Sequence, residues 1–295
     1  MQRQPGWQEM MTLLGLSLMW GSSYVLIKWG LDVFLPRQIA MLRLGISSVV
    51  LLPFAVIHLR RVSWRQLPLL AIVGLTGTAL PAVLFPTAQQ YLSSSLTGML
   101  SSLTPLCTFL IAWLVFRGRP VIPQVVGIVI GFVGAVVLAY VSPSEGGEQT
   151  QQFMYAGLVL LACLCYATSS NLVANYLSGV PALTITVISF FLVGLPPLVY
   201  AIFMEDIPER IVGAGHAGAM AFTYVSILAV GSTVVAGFVF YGLVQRMGAV
   251  FASLVSYLVP VVALLWGVAL KEGMAWQQIP AISLILIGIF LSKRK

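Results

Sequence analysis

The sequence predicts an all-α integral membrane protein: ten transmembrane helices arranged as two inverted five-helix repeats around a central cavity, with N- and C-termini cytoplasmic. Three observations carry this. Of 295 residues, 59% are hydrophobic and 8% charged, where a soluble domain carries about 25% charged residues. The apolar residues fall in long runs of spanning length. The two halves of the chain align on each other.

Composition sets the class. The 8 acids and 15 bases are about a third of the roughly 70 charges that a soluble chain of this length holds. Mean hydropathy is +1.00. A soluble globular enzyme and a disordered chain are excluded. A barrel is excluded because its strands read as short alternating segments.

A spanning helix needs about 20 apolar residues. Ten runs qualify: 10–31, 37–58, 67–88, 94–116, 122–141, 153–176, 182–203, 217–241, 247–269 and 276–292. Of the charged residues, only Lys28 and Arg43 fall inside them. The first run is too long for a cleaved signal peptide and lacks a small-residue cleavage site after it. With a cytoplasmic N-terminus, ten Lys and Arg residues lie on inner segments and three on outer ones. That follows the positive-inside rule and brings the C-terminus back to the cytoplasm. The +7 net charge is therefore an inner-leaflet balance, and no nucleic-acid partner is expected. Cys107, Cys163 and Cys165 lie inside apolar runs and read as buried thiols; no metal site or cofactor follows from them.

The longest polar break divides the chain into a first repeat at 1–141, an outer linker at 142–152 and a second repeat at 153–295. An offset of 155 residues aligns the third and fourth spans with the eighth and ninth, pairing Phe85 with Phe240, Gln90 with Gln245, and Pro105 with Pro260. An offset of 154 pairs Gln124 with Gln278 and Gly134 with Gly288. The first and sixth spans match more weakly, Trp20-Gly-Ser-Ser-Tyr24 against Tyr166-Ala-Thr-Ser-Ser170. Five is odd, so the second unit crosses in the opposite sense. Such inverted repeats build secondary transporters, with substrate bound near the midplane.

These features resemble the drug/metabolite transporter superfamily and its ten-helix EamA-type members. The matching residues are Trp20-Gly21 with Lys28 in the first span, Met41-Leu-Arg43-Leu in the second, and Ser102-Leu-Thr-Pro105 with Trp113 and Arg117-Gly118 in the fourth. The ninth adds Leu258-Val-Pro260 followed by Lys271-Glu-Gly273. The resemblance implies export or exchange of small metabolites across a bacterial inner membrane. Within the family, the YddG-type subgroup that exports aromatic and other neutral amino acids is the leading reading.

The residues themselves supply the candidate cavity. Lys28 either snorkels outward and pairs with Asp32 at i+4 or faces the interior. Arg43 lies too deep to snorkel; it either takes a substrate carboxylate bidentately or bonds backbone carbonyls. Trp20, Tyr24, Phe85, Tyr166, Tyr241 and Tyr257 are deep rings whose polar atoms need interior partners. Ser23, Gln90, Ser102, Asn171, Asn175 and Gln245 are polar groups within the spans. Pro105 and Pro260, as repeat mates, are either paired hinges or static kinks. Spans five and ten hold almost no polar residues and are placed at the periphery, with Gly127-x-x-x-Gly131 marking close packing inside the bundle or in a dimer.

No acid lies within a span, so transport without a buried proton carrier is expected. The sequence holds no nucleophile–base set, metal motif or phosphate loop, so no catalytic residue is expected. The expected partners are a small-molecule substrate and the lipid bilayer, with the chain a monomer or weak homodimer. Alternatives are a drug, nucleotide-sugar or sugar-phosphate exchanger of the same superfamily, and a passive channel.

Overall fold

The computed structural model describes residues 6–116, 122–142, 149–272 and 276–292. Arg3, the Arg117-Gly118 turn with Arg119, Glu145 and Glu148 of the linker, Gly273, and Lys293, Arg294 and Lys295 lie outside the described residues.

Among these residues the chain is helical throughout. The helices are α1 (Trp7–Leu31), α2 (Pro36–Leu59), α3 (Leu67–Ala88), α4 (Ser94–Leu114), α5 (Ile122–Val141), α6 (Gln149–Tyr176), α7 (Ala182–Met204), α8 (His216–Met247), α9 (Ala249–Ala269) and α10 (Gln278–Ser292). The first nine are long and apolar enough to span a bilayer; α10 has 15 residues. A short polar helix, Ile207–Gly213, joins α7 to α8. Helix α8 runs six residues past the expected end of its span. Only Gly248 separates it from α9, at φ 86°, a left-handed value that favours glycine.

Two contacts give the directions of α2 and α7. At one end Arg37 Nε donates to Glu205 at 2.8 Å. At the other, His58 Nδ1 and the Thr184 hydroxyl lie 2.8 Å apart. The start of each helix meets the end of the other, so they run antiparallel. Helices α5 and α10 do the same, with Gln278 Nε2 donating to the Ser142 hydroxyl at 2.8 Å. A Cβ on Gly134 would lie 2.8 Å from Ile285 N, and one on Gly288 would lie 2.5 Å from Gly127 O. These two glycines bring the backbones of α5 and α10 together, as small residues do between membrane helices. The Gly127-x-x-x-Gly131 face is therefore spent within the chain.

The remaining packing repeats in pairs. Helix α1 packs on α9 and α6 on α4; α3 packs on α6 and α7, as α8 packs on α1 and α2. Many large apolar residues are exposed on the helix faces, among them Val129, Val133 and Val136 of α5, Ile202 and Phe203 of α7, and Ile279 and Phe290 of α10. Such a surface is stable against lipid and not against water. The chain is an integral membrane protein.

Helices α3 and α8 carry matching irregularities. Residues Leu75–Ala79 and Leu228–Val235 are π-helical, and the 155-residue offset lays the first stretch inside the second. A π turn frees backbone carbonyls and shifts the faces of the helix, often at a functional site. In α8 the carbonyls are taken up by side chains. Leu228 O accepts from the Thr233 hydroxyl at 3.1 Å, Ala229 O from Ser47 at 3.1 Å, and Ser232 O from Trp20 Nε1 at 2.9 Å. Helix α4 narrows to a 3₁₀ turn at Ser101–Leu103. The Pro105 ring excludes the carbonyl four residues earlier, and Ser101 O accepts the Thr104 hydroxyl at 2.7 Å instead. In α9 the interruption falls at Ser253-Leu254, and Pro260 lies inside the helix.

Candidate functional site

The two π stretches, the α4 turn and the start of α9 face one cavity between the repeats. The walls come from Trp20, Ser23, Tyr24 and Ile27 of α1, Arg43 of α2, Gly77, Thr78 and Phe85 of α3, and Ser101 and Thr104 of α4. Tyr166 and Ser169 of α6, Phe190 of α7, five residues of α8 (Ser232, Thr233, Gly237, Phe240 and Tyr241), and Ser253, Val255, Ser256 and Val259 complete them. Free space is about 60 Å³, enough for a few waters and below the roughly 300–1,000 Å³ of an occupied ligand site. The cavity is contracted, and a solute enters only if the helices part.

Among the described residues Arg43 is the one cationic side chain in this wall, and it is 6% exposed. Its Nε donates to the Thr233 hydroxyl at 2.7 Å, and the Tyr166 hydroxyl faces the same guanidinium. Thr233 is fixed by its bond to Leu228 O, so the π stretch of α8 sets where the charge sits. A guanidinium carries five N–H donors in a planar fork; a clamp at Nε orients the fork.

Rings form a connected belt around this charge. Centroid separations are 5.5 Å for Tyr24–Phe85, 6.0 Å for Phe85–Tyr166, 6.4 Å for Tyr166–Trp20 and 5.0 Å for Trp20–Phe240. Tyr241 and Phe190 continue it, 6.2 Å apart. The repeat mates Phe85 and Phe240 thus flank the mates Tyr166 and Trp20. The Tyr241 hydroxyl lies 2.9 Å from Ser169 Oγ, and the pair occupies the space where a Cβ on Gly77 would project.

Seven of the sequence-predicted residues therefore share one wall: Trp20, Ser23, Tyr24, Arg43, Phe85, Tyr166 and Tyr241. The others lie elsewhere. Asn171 Nδ2 donates to Thr108 O at 3.0 Å, tying α6 to α4. Gln245 Nε2 donates to Leu177 O at 3.0 Å and to Val180 O in the α6–α7 turn. Ser102 bonds Met99 O within its own helix. Gln90 and Asn175 are exposed, and Tyr257 is half-buried outside the wall. Pro105 and Pro260 are buried and do not line the wall. The residues four before them, Ser101 and Ser256, line it.

Lys28 neither lines the cavity nor pairs with Asp32. Its Nζ lies 2.8 Å from Oε1 of Glu272, a residue that sequence reading places in an outer loop. The Glu272 side chain is 1% exposed and also accepts from the Ser94 hydroxyl at 2.5 Å and Ser95 N at 3.0 Å. Burial raises this carboxyl, but the Lys28 ammonium and the two serines outweigh it and hold it down at about 2. Lys271 precedes it at φ 54°, which turns the chain inward. The cluster ties α1, α4 and the end of α9 at one face. On the same face, Gln38 Nε2 bridges Glu205 and Asp206, and Arg210 holds the Asp206 carboxyl below its ordinary value.

Sequence reading missed Thr78, Gly77, Phe190 and Ser101. The available signal was Leu75-Thr-Gly-Thr-Ala79, a small polar run within an apolar span, at the position where the other repeat holds Gly231-Ser-Thr233.

The family model for EamA-like transporters matches residues 7–140 and again 153–294. An uncharacterized transporter of Archaeoglobus fulgidus is 26% identical over 280 residues, 94% of this chain and 95% of that one. A probable terminal-alkyne amino-acid exporter of Streptantibioticus cattleyicolor is 24% identical over 158 residues, 53% of each chain. A solved crystal structure, 17% identical, superposes with a TM-score of 0.66 over 97% of this chain and 96% of its own; it shares the fold.

Proposed function

Because the chain belongs to the EamA-like transporter family, we propose that it is a secondary transporter that exports or exchanges small metabolites, chiefly aromatic or other neutral amino acids, by alternating access. One observation carries the reading. A buried guanidinium, clamped at Nε by Thr233, sits in a cavity walled among the described residues mainly by rings and hydroxyls. The fork suits a carboxylate and the rings suit an apolar or aromatic side chain. The amino-acid exporter among the relatives supports the same substrate class.

In this account residues 1–141 and 153–295 are five-helix repeats joined by 142–152, crossing a bacterial inner membrane ten times with both termini cytoplasmic. The antiparallel α2/α7 and α5/α10 pairs support the inversion. The protein works as a carrier with no cofactor, no catalytic residue and no nucleic-acid partner, as a monomer or weak homodimer in the bilayer. Pro105 and Pro260 act as hinges that let the contracted cavity open on alternate sides. Among the described residues no carboxylate lines the cavity, and Glu272 is held ionised, which supports facilitated transport or exchange. One buried cation is a poor match for the two phosphates of a nucleotide sugar.

Counterflow into liposomes tests the reading against its alternatives. Saturable uptake of labelled aromatic amino acid, driven by the same solute inside, is the expected result. Counterflow by sugar phosphates alone, or uptake that never saturates as in a channel, overturns it.

A further inference from the structure

The packing of α2 against α7 repeats under exchange of the two halves. An offset of 147 residues carries Arg37 onto Thr184 and His58 onto Glu205. The Arg37–Glu205 contact at one end and the Thr184–His58 contact at the other are thus equivalent. The same offset carries Arg43 onto Phe190, and both line the cavity. The 155-residue offset carries Thr78 onto Thr233. The second repeat's threonine is therefore paired with an arginine, whereas the first repeat's threonine has a phenylalanine in the corresponding place.

The consequence appears in the hydrogen bonds. Thr233 receives Arg43 Nε and donates to Leu228 O. The Thr78 hydroxyl is buried, with the residue 1% exposed, and has no hydrogen-bond partner among the described residues. It also lacks the intrahelical bond that its neighbours make: Thr76 donates to Ile72 O at 2.8 Å and Thr87 to Val83 O at 2.7 Å. A buried hydroxyl left unbonded is costly, and such a group in a native structure calls for a reason. Thr78 lies in the wall of the cavity, where a solute can complete it.

We propose that Thr78 is a specificity-determining residue that accepts a hydrogen bond from the ammonium group of an α-amino acid whose carboxylate lies on Arg43. This rests on the carboxylate reading given above and extends it to the amine. Among the described residues no acid lines the cavity, so an ammonium there depends on neutral acceptors and ring faces. The Thr78 hydroxyl is buried in the wall with both its donor and its acceptor capacity unused, and the Ser169–Tyr241 hydroxyl pair lies beside the adjacent Gly77.

The test is counterflow of an aromatic amino acid and of its des-amino carboxylate, 3-phenylpropionate, by wild type, Thr78→Val and Thr78→Ser. Thr78→Val keeps the shape and removes the hydroxyl. The expected result is a KM for the amino acid raised about tenfold, an unchanged KM for 3-phenylpropionate, an unchanged or higher Tm, and recovery in Thr78→Ser. Equal KM values for both solutes in wild type and Thr78→Val overturn the proposal. A parallel loss for both solutes together with a lowered Tm also overturns it, because that marks a structural role. If wild type carries neither carboxylate, the underlying carboxylate reading fails first.

Discussion

Arg43 Nε donates to the Thr233 hydroxyl at 2.7 Å, and this bond joins the middle of α2 to the π stretch of α8. It makes the position of a buried charge depend on a local irregularity in another helix. Were Leu228–Val235 regular α-helix, the Thr233 hydroxyl would bond four residues back rather than to Leu228 O, five back, and the clamp on the guanidinium would shift. Thr233→Val is therefore expected to weaken transport of carboxylates by about tenfold while the purified protein keeps its helical content. Counterflow and circular dichroism on the same preparation check both halves.

The Glu272 cluster governs stability at one face. Glu272→Ala orphans Ser94, Ser95 N and Lys28 together; Lys28→Ala leaves the carboxylate with both serine donors. Lys28 is 38% exposed and can turn to water, so its loss is discounted. Thermal unfolding in detergent is expected to show Glu272→Ala costing about 1–3 kcal/mol and Lys28→Ala clearly less. A larger loss for Lys28→Ala would count against the cluster as described.

The same carboxyl sets a pH expectation. Its folded value of about 2 lies below the ordinary 4.5, so its contribution is present in full above about 4.5 and fades as pH falls toward 2. Between pH 5 and 8 it does not titrate. Exchange rates measured across that window are expected to be flat in any part that depends on Glu272, and Glu272→Gln is expected to leave the shape of the profile unchanged.

Three glycine substitutions separate site from scaffold. A Cβ at Gly77 runs into the Tyr241 and Ser169 hydroxyls, so Gly77→Ala displaces part of the cavity wall and lowers transport. Gly288→Ala meets the α5 backbone and costs about 1–3 kcal/mol of stability. Gly157→Ala has open space around it and serves as the control with neither effect.

If Pro105 and Pro260 are hinges, Pro105→Ala and Pro260→Ala change kcat and KM together. Rates equal to wild type in both variants would mean that the prolines only shape resting helices.

Much of this architecture was legible in the sequence, because spanning helices are set by the length of apolar runs and the repeats by matched residues. Phe85 and Phe240, aligned on the offset alone, meet in one ring belt with Trp20 and Tyr166. Legibility failed where local geometry departs from 3.6 residues per turn. Thr78 and Gly77 lie in a π stretch that shifts these positions from the face a regular helix gives them, and the 3₁₀ turn puts Ser101, rather than Ser102, on the cavity. Phe190 was hidden among the many apolar residues of its span, next to Phe191. Glu272 was hidden by its charge: a loop carboxylate reads as solvated, and only the positive φ of Lys271 and the donors on α1 and α4 bring it inside.

The reading that Arg43 holds a substrate carboxylate is tested by Arg43→Lys in liposomes, with abundance and Tm recorded alongside counterflow of an aromatic amino acid. Lysine keeps the charge and loses the planar fork. The expected result is a fall in counterflow of about 10- to 100-fold, the worth of a charged hydrogen-bond pair, with abundance and Tm close to wild type. Counterflow that falls only in proportion to abundance or Tm would contradict the reading and make Arg43 a structural residue.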